Sequence, residues 1–310
     1  MDDPTRVVDL RVLGVQVEPP EVMLPDCTAL DPRTPQDQRL RALLPYLQPV
    51  QYRALLADPA GAGRPLDWAL FSCVSQGDRD CNEERLEMGR GQTPPGVLAP
   101  PPFQNGKLLG AEELLNGNVT DPAELLLLKV IAADTFRGLG GIRVPLVLDV
   151  KAGGEQVFAQ KLMVYSCRRV EGMRANVNPV LPGLTLRGQA WEAASPPALQ
   201  GPGPFRIEPL PFTAPDGTPL EEAYVVPSLA AEPLPIQLQE AWQISWHTDY
   251  GRMSREETGG ADFANTVGRH QVDWVPPATG GQARAVRVWA VVRDGRGGQS
   301  WLERSFTWAP

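Results

Sequence analysis

Lysine and histidine are nearly missing from this chain. Lys occurs only at 107, 129, 151 and 161, and His247 and His270 are the only imidazoles. Two histidines leave little scope for His-based metal clusters, and a catalytic triad would need one of them beside a nucleophile and a carboxylate. Almost all positive charge is therefore Arg, as expected for Arg–carboxylate pairing on a solvated surface and for the codon bias of a GC-rich genome. No run of about 18 apolar residues occurs, which excludes a membrane-spanning helix. The four cysteines form no CxxC pair, which argues against zinc. Nothing matches GxSxG, HExxH or a phosphate-cradling loop. Gly138-Leu139-Gly140-Gly141 and Gly295-Arg296-Gly297-Gly298 lack the spacing of a nucleotide loop and are read as turns.

What is present is β-rich. The 310 residues are enough for two ordinary cores, and 33 Pro with 30 Gly disfavour long helices. The net charge of −8 argues against nucleic acid or an anionic membrane surface as partner. The clearest stretch is the last one, Val286 to Pro310. Two β-rich runs flank Asp294-Gly295-Arg296-Gly297-Gly298, which predicts a closing β-hairpin that needs a second sheet to cover its apolar face. Ile142 to Val150 and Glu155 to Cys167 repeat that pattern around Lys151-Ala152-Gly153-Gly154.

Between these lie less regular parts. Val7 to Val17 is an opening strand ended by Glu18-Pro19-Pro20, a place to stop or switch sheets. A short helix is predicted at Gln36–Leu44. Gln51 to Ala57 and Leu66 to Cys73 are expected to pair around a turn at 58–63, with Trp68 inward. Residues 75–106 read as loop, Gly110 to Gly117 as a helical turn, and Glu124 to Ala133 as either strand or helix. Ala223 to Val226 and Ile236 to Leu238 read as edge strands. Ala241 to His247 alternates, with Trp242, Ile244 and Trp246 on one face and Gln243, Ser245 and His247 on the other. The predicted organisation is two tandem immunoglobulin-like β-sandwich domains, 1–167 and 181–310, joined by a polar linker at 168–180.

Cys73 and Cys81 flank a polar segment able to turn back on itself, so a Cys73–Cys81 disulfide is favoured, with Cys27–Cys167 as the second candidate. Disulfides imply an oxidising compartment. No signal peptide is visible after Met1, so either the protein is cytosolic or a leader was removed, and the cysteines and the fold favour the second. Calcium candidates are Asp216, Glu221, Glu222 and Asp294, although no DxDxDG-type run is present. Trp289 alternates opposite Val288 and Ala290, so Trp289, Trp301 and Trp308 are candidate aromatics for sugar stacking or a protein interface, with burial against a neighbouring domain the favoured reading. Asn118-Val119-Thr120 matches a glycosylation sequon and is treated as chance. No cofactor is expected.

LRVLGVQVEPPEV at 10–22, ISWHTDYGRM at 244–253, GADFANTV at 260–267 and VWAVVRDGRGGQSW at 288–301 resemble lipoproteins of high-GC Gram-negative bacteria that carry tandem immunoglobulin-like domains. The chain is similar also to PKD and cadherin-like domains, whose last hairpin often holds an Asp-Gly pair. The resemblance implies a lipid-anchored protein of the outer membrane, on its periplasmic or surface face. The expected role is a non-enzymatic structural or adaptor subunit that holds envelope proteins. Carbohydrate binding is the alternative, and hydrolysis a third reading.

Overall fold

The computed structural model describes residues 3–46, 48–74, 81, 85–104, 126–134, 138, 140–230, 232–260, 268–278 and 282–310. The helical turn expected at 110–117, the sequon at 118–120 and most of the Cys73–Cys81 loop lie outside them. The fold is all-β, with several sheets.

The first core lies between two sheets. β1 (Arg11–Glu18) pairs antiparallel with β3 (Pro49–Ala57), which also takes β6 (Val97–Leu98) and β7 (Phe103–Gln104). The facing sheet runs β2 (Glu21–Leu24), β9 (Glu155–Cys167), β8 (Ile142–Ala152), β4 (Leu66–Cys73) and β5 (Arg85–Thr93). Pro19 and Pro20 stand where the chain leaves one sheet as β1 and joins the other as β2. β2 lies parallel to β9, an edge position that proline tolerates. Alternate side chains of β1, β3 and β8, among them Val15, Val17, Tyr52, Ala54, Leu146 and Leu148, fill the space between the sheets. α1 (Gln36–Leu43) and α2 (Leu126–Ala133) are short additions, the second settling the ambiguous apolar run as helix. Cys27–Cys167 staples the segment after β2 to the end of β9, and Cys73–Cys81 closes the second bridge.

Two expectations fail in this half. β3 and β4 follow one another in sequence but belong to different sheets, so the turn at 58–63 crosses the core rather than closing a hairpin. Asp58 and Arg64 hold that crossing, with Arg64 reaching on to Glu155. The segment expected to be loop holds β5, whose Gly- and charge-rich sequence is only half-buried on the sheet edge. Trp68 of β4 packs half-buried against the core above Gly91, where a Cβ would lie 2.8 Å from its ring.

The second core lies between β11-β10-β13-β19-β17 and β12-β21-β20-β16-β18. The first sheet comprises β10 (Leu184–Leu186), β11 (Gln189–Ala190), β13 (Phe205–Pro209), β17 (Arg252–Met253) and β19 (Val272–Val275). The second comprises β12 (Ala198–Gln200), β16 (Gln243–Thr248), β18 (Glu257–Gly259), β20 (Arg284–Arg293) and β21 (Gln299–Ala309). Trp242, Trp246, Trp274 and Trp308 meet in this core, with Trp274 edge-on to Phe306 at 4.8 Å. A remaining pair, β14 (Ala223–Pro227) and β15 (Pro235–Gln239), forms a separate two-stranded ribbon outside both sheets.

The outer faces of the two sheet pairs meet in a third apolar seam. Val7, Leu13, Leu55 and Ala57 pack there against Trp289 and Val291, with Trp301 partly buried beside them. At about 2 kcal/mol per buried large side chain the seam is a strong attachment. Gly14 permits the approach, because a Cβ there would sit 3.3 Å from Gln299, Trp301 and Val291.

Candidate functional site

The turn between β20 and β21 carries the densest polar cluster among the described residues. Asp294 Oδ1 accepts the N–H groups of Arg296, Gly297 and Gly298 at 2.7, 3.0 and 2.9 Å. Its Oδ2 accepts from Asn176 Nδ2 at 2.7 Å. Gly298 must lack a side chain, since a Cβ would lie 2.2 Å from Asp294 Oδ2. This shape aims Arg296 outward into a ring of acids. Its guanidinium lies 3.1 Å from Glu240, 3.2 Å from Glu222 and 3.8 Å from Glu21, and stacks 4.3 Å over Tyr224. Glu240 is 2% exposed and also accepts from Trp242 Nε1 at 2.9 Å. Burial and the neighbouring Glu240 raise the Glu222 pKa, while Arg296 opposes the rise.

The segment after β9, expected as a linker, is bound into this arrangement. Asn176 N–H donates to Glu21 Oε2 at 2.7 Å. Asn178 Nδ2 donates to Val17 O and Glu18 Oε2, while its Oδ1 accepts from Gln299 N–H at 2.9 Å. Lys161 on β9 donates to Gly297 O, and burial lowers its pKa to about 8. Both sheet pairs are thus tied to one turn.

This geometry decides the calcium candidates. Glu222 and Asp294 come together, but Arg296 supplies the positive charge that a cation would bring. Glu221 accepts from Trp242 N–H at 2.8 Å, and Asp216 caps its own turn through Thr218 N–H. The described residues contain no group of three or more acids, histidines or cysteines arranged for a metal.

The aromatic candidates are corrected as well. Trp289 and Trp308 are each 1% exposed, one in the seam and one in the second core, so neither can stack on a sugar. Trp289 alternates out of its own core only to be covered by β1 and β3. Trp301 is partly buried, with Arg53 5.5 Å over its ring.

The histidines form no relay among the described residues. Ser245 Oγ bonds Glu257 and Arg293 rather than His247. The face that carries them is largely buried: Ser245 is 4% and His247 9% exposed. Desolvation, with Arg11 and Arg293 adding repulsion, lowers the His247 pKa to about 4. His270 is likewise lowered to about 4 by burial and stacks on Phe212 at 4.8 Å.

Beside the Arg296 ring lies a cleft of about 500 Å³. Its floor is the outer face of β2, β9 and β8, where Met23, Leu162, Val164 and Arg143 stand side by side. β14 of the ribbon forms one wall, and Arg169, Met173 and Arg174 form another. The ribbon itself presents apolar side chains to solvent: Leu229 at 84%, Leu234 at 66%, Ile236 at 44% and Leu238 at 41% exposure. Sequence reasoning named Glu222 and Asp294 of the cluster, for calcium, but missed their arginine partner and the cleft. The residues of both are scattered from 21 to 298.

No family model and no curated protein matches the chain. Among solved structures, dimeric latent PorU from Porphyromonas gingivalis aligns over 97% of this chain and 34% of its own length, at 8% identity and a TM-score of 0.19. A score that low carries no argument, and the chain spans about a third of that protein.

Proposed function

We propose that the chain is a non-enzymatic, protein-binding subunit of a cell-envelope assembly. In this reading it comprises two immunoglobulin-like β-sandwich units, 1–167 and 181–310, held by the 168–180 segment. It is exported and anchored by lipid at the outer membrane. Two disulfides support an oxidising compartment.

The observation that carries the binding role is the β14–β15 ribbon. Ile236 and Leu238 on β15, and Leu229 and Leu234 in the connection between β14 and β15, are exposed on an element outside the four larger sheets. Large apolar side chains clustered at a surface mark interaction sites. Trp289 and Trp308, two of the three aromatics considered for sugar stacking, are buried, which leaves the carbohydrate reading with less support.

The test is site-specific photo-crosslinking in native cells, with the reactive side chain placed at Leu234 or Ile236 and, as control, at exposed Glu303. One protein adduct in high yield from the ribbon positions, lost with Leu229→Asp, supports the reading. No adduct from the ribbon, or the same adducts from Glu303, refutes it.

A further inference from the structure

Tyr224, Val225, Val226 and Pro227 all reach the cleft, four consecutive residues of one strand. Successive side chains of a strand point to opposite faces, so consecutive residues meet one space only where the strand shows its edge. The hydrogen bonds identify what that edge exposes. Ser228 N–H donates to Leu234 O at 2.8 Å and Glu240 N–H to Glu222 O at 2.9 Å. The even-numbered residues of the ribbon therefore bond across it, and antiparallel alternation turns the odd-numbered ones outward. Val225 N–H, Val225 C=O and Pro227 C=O face the cleft, with no backbone partner among the described residues. Each edge of the ribbon carries one proline, Pro227 on β14 and Pro235 on β15, so Val225 is the residue whose N–H and C=O both stand free on the cleft side.

The cleft offers two further kinds of recognition. Met23, Leu162 and Val164 give it an apolar floor beneath β14. At its rim Arg169 and Arg174 are exposed, and neither is within ion-pair distance of a carboxylate among the described residues. Among the described residues the Arg169 guanidinium donates to Gly138 O at 3.4 Å and adds a small pull on Asp31, which Arg33 already pairs. In a chain of net charge −8 this is a local cationic rim.

We propose that the cleft binds an extended acidic segment of a protein partner, which adds as a strand to the outer edge of β14. Its apolar side chains seat on Met23, Leu162 and Val164, and its carboxylates turn to Arg169 and Arg174. Strand addition draws affinity from main-chain bonds and selectivity from alternate side chains. An anionic lipid chain fits the apolar floor and the arginines but not the edge. It would cover the Val225 N–H and C=O without bonding them, leaving both desolvated and unpaired. A peptide backbone satisfies both. The inference rests on the protein-binding reading above and names the chemistry of the partner.

The experiment is fluorescence anisotropy on the full chain, using labelled six-residue peptides that alternate glutamate with valine, leucine or phenylalanine. At least one is expected to bind, and to weaken about tenfold as salt rises from about 0.05 M to about 0.5 M. The Arg169→Glu/Arg174→Glu variant, altered only at exposed positions, is expected to weaken it similarly. N-methylation of alternate residues, made in both registers, is expected to abolish binding in one register only, because one set of N–H groups faces β14. Tolerance of both registers, equal binding of peptides with lysine for glutamate, or saturation by dodecanoate with no peptide bound would each overturn the proposal. Failure here with the ribbon crosslink intact removes the cleft but leaves the protein-binding role. A lost crosslink with peptide binding intact removes the ribbon as the principal contact.

Discussion

Arg296→Ala tests whether the turn between β20 and β21 holds the molecule together or merely decorates it. The Arg296 side chain is 14% exposed and Glu240 2%, so their 3.1 Å contact is shielded from water. Removing one partner of a buried pair costs about 3–5 kcal/mol, because the other charge stays buried without compensation. Glu240 keeps bonds from Trp242 Nε1 and Glu222 N–H, which places the expected loss at the lower end, about 3 kcal/mol at neutral pH. Glu222, exposed at 38% of its side chain, adds little to that figure.

The pH dependence has a definite sign. The folded pKa of Glu222 already lies above 4.5, and removal of Arg296 lifts it further. A carboxyl raised on folding favours the native state at low pH and loses that contribution as pH rises through its folded value. The gap between variant and parent is therefore widest at pH 7 and narrows as pH falls toward 4.5. Urea denaturation followed by tryptophan emission is the assay, since seven of eight Trp residues lie at position 191 or beyond and report on the second core and the seam. Glu240→Gln in the Arg296→Ala background is expected to restore about 2 kcal/mol. A loss below about 1 kcal/mol, or strict additivity of the two substitutions, refutes the argument.

Two other perturbations follow from the same structure. Cys27–Cys167 closes a loop of 140 residues and Cys73–Cys81 one of 8. Chain entropy then predicts that Cys27→Ser/Cys167→Ser costs about 5 kcal/mol and Cys73→Ser/Cys81→Ser about 2.5 kcal/mol by urea denaturation, and a reversed order would contradict it. His247 falls from 6.5 to about 4 on folding, so its contribution is present above pH 6.5 and is lost as pH falls toward 4. His247→Gln should flatten the decline of stability across that window, and an unchanged slope in thermal melts over the same pH range would count against burial as the cause.

The hairpins β8–β9 and β20–β21 were legible in the sequence because each joins neighbouring runs through one turn, so local pattern and final pairing coincide. The sheet switch at Pro19-Pro20 was legible for a similar reason: proline cannot continue a ladder. Adjacency misled at β3 and β4. The same strand–turn–strand pattern describes a hairpin and a crossing between sheets, and only the partners of each strand tell them apart. Trp289 misled differently. Its alternation out of the second core left sugar stacking, an interface and burial against a neighbouring unit all open, and β1 and β3, more than 200 residues away, supply the burial. The Arg296 ring was legible only in part: Glu222 and Asp294 were singled out, but for calcium, while Glu21 and Glu240 look like ordinary surface acids until the fold gathers them.

The first strand has a consequence for how the chain is made. Residues 5–7 bond to Thr248 and Met253, Leu13 enters the seam, and β2 then joins the opposite sheet. Synthesis delivers these residues more than 200 positions before their last partners, Trp289 to Trp301. The apolar outer face of β1 and β3 thus stays uncovered through that interval, although the sheet that bears it can already have closed. That face needs protection until the β20–β21 hairpin arrives, so β1 is made early and reaches its finished surroundings late.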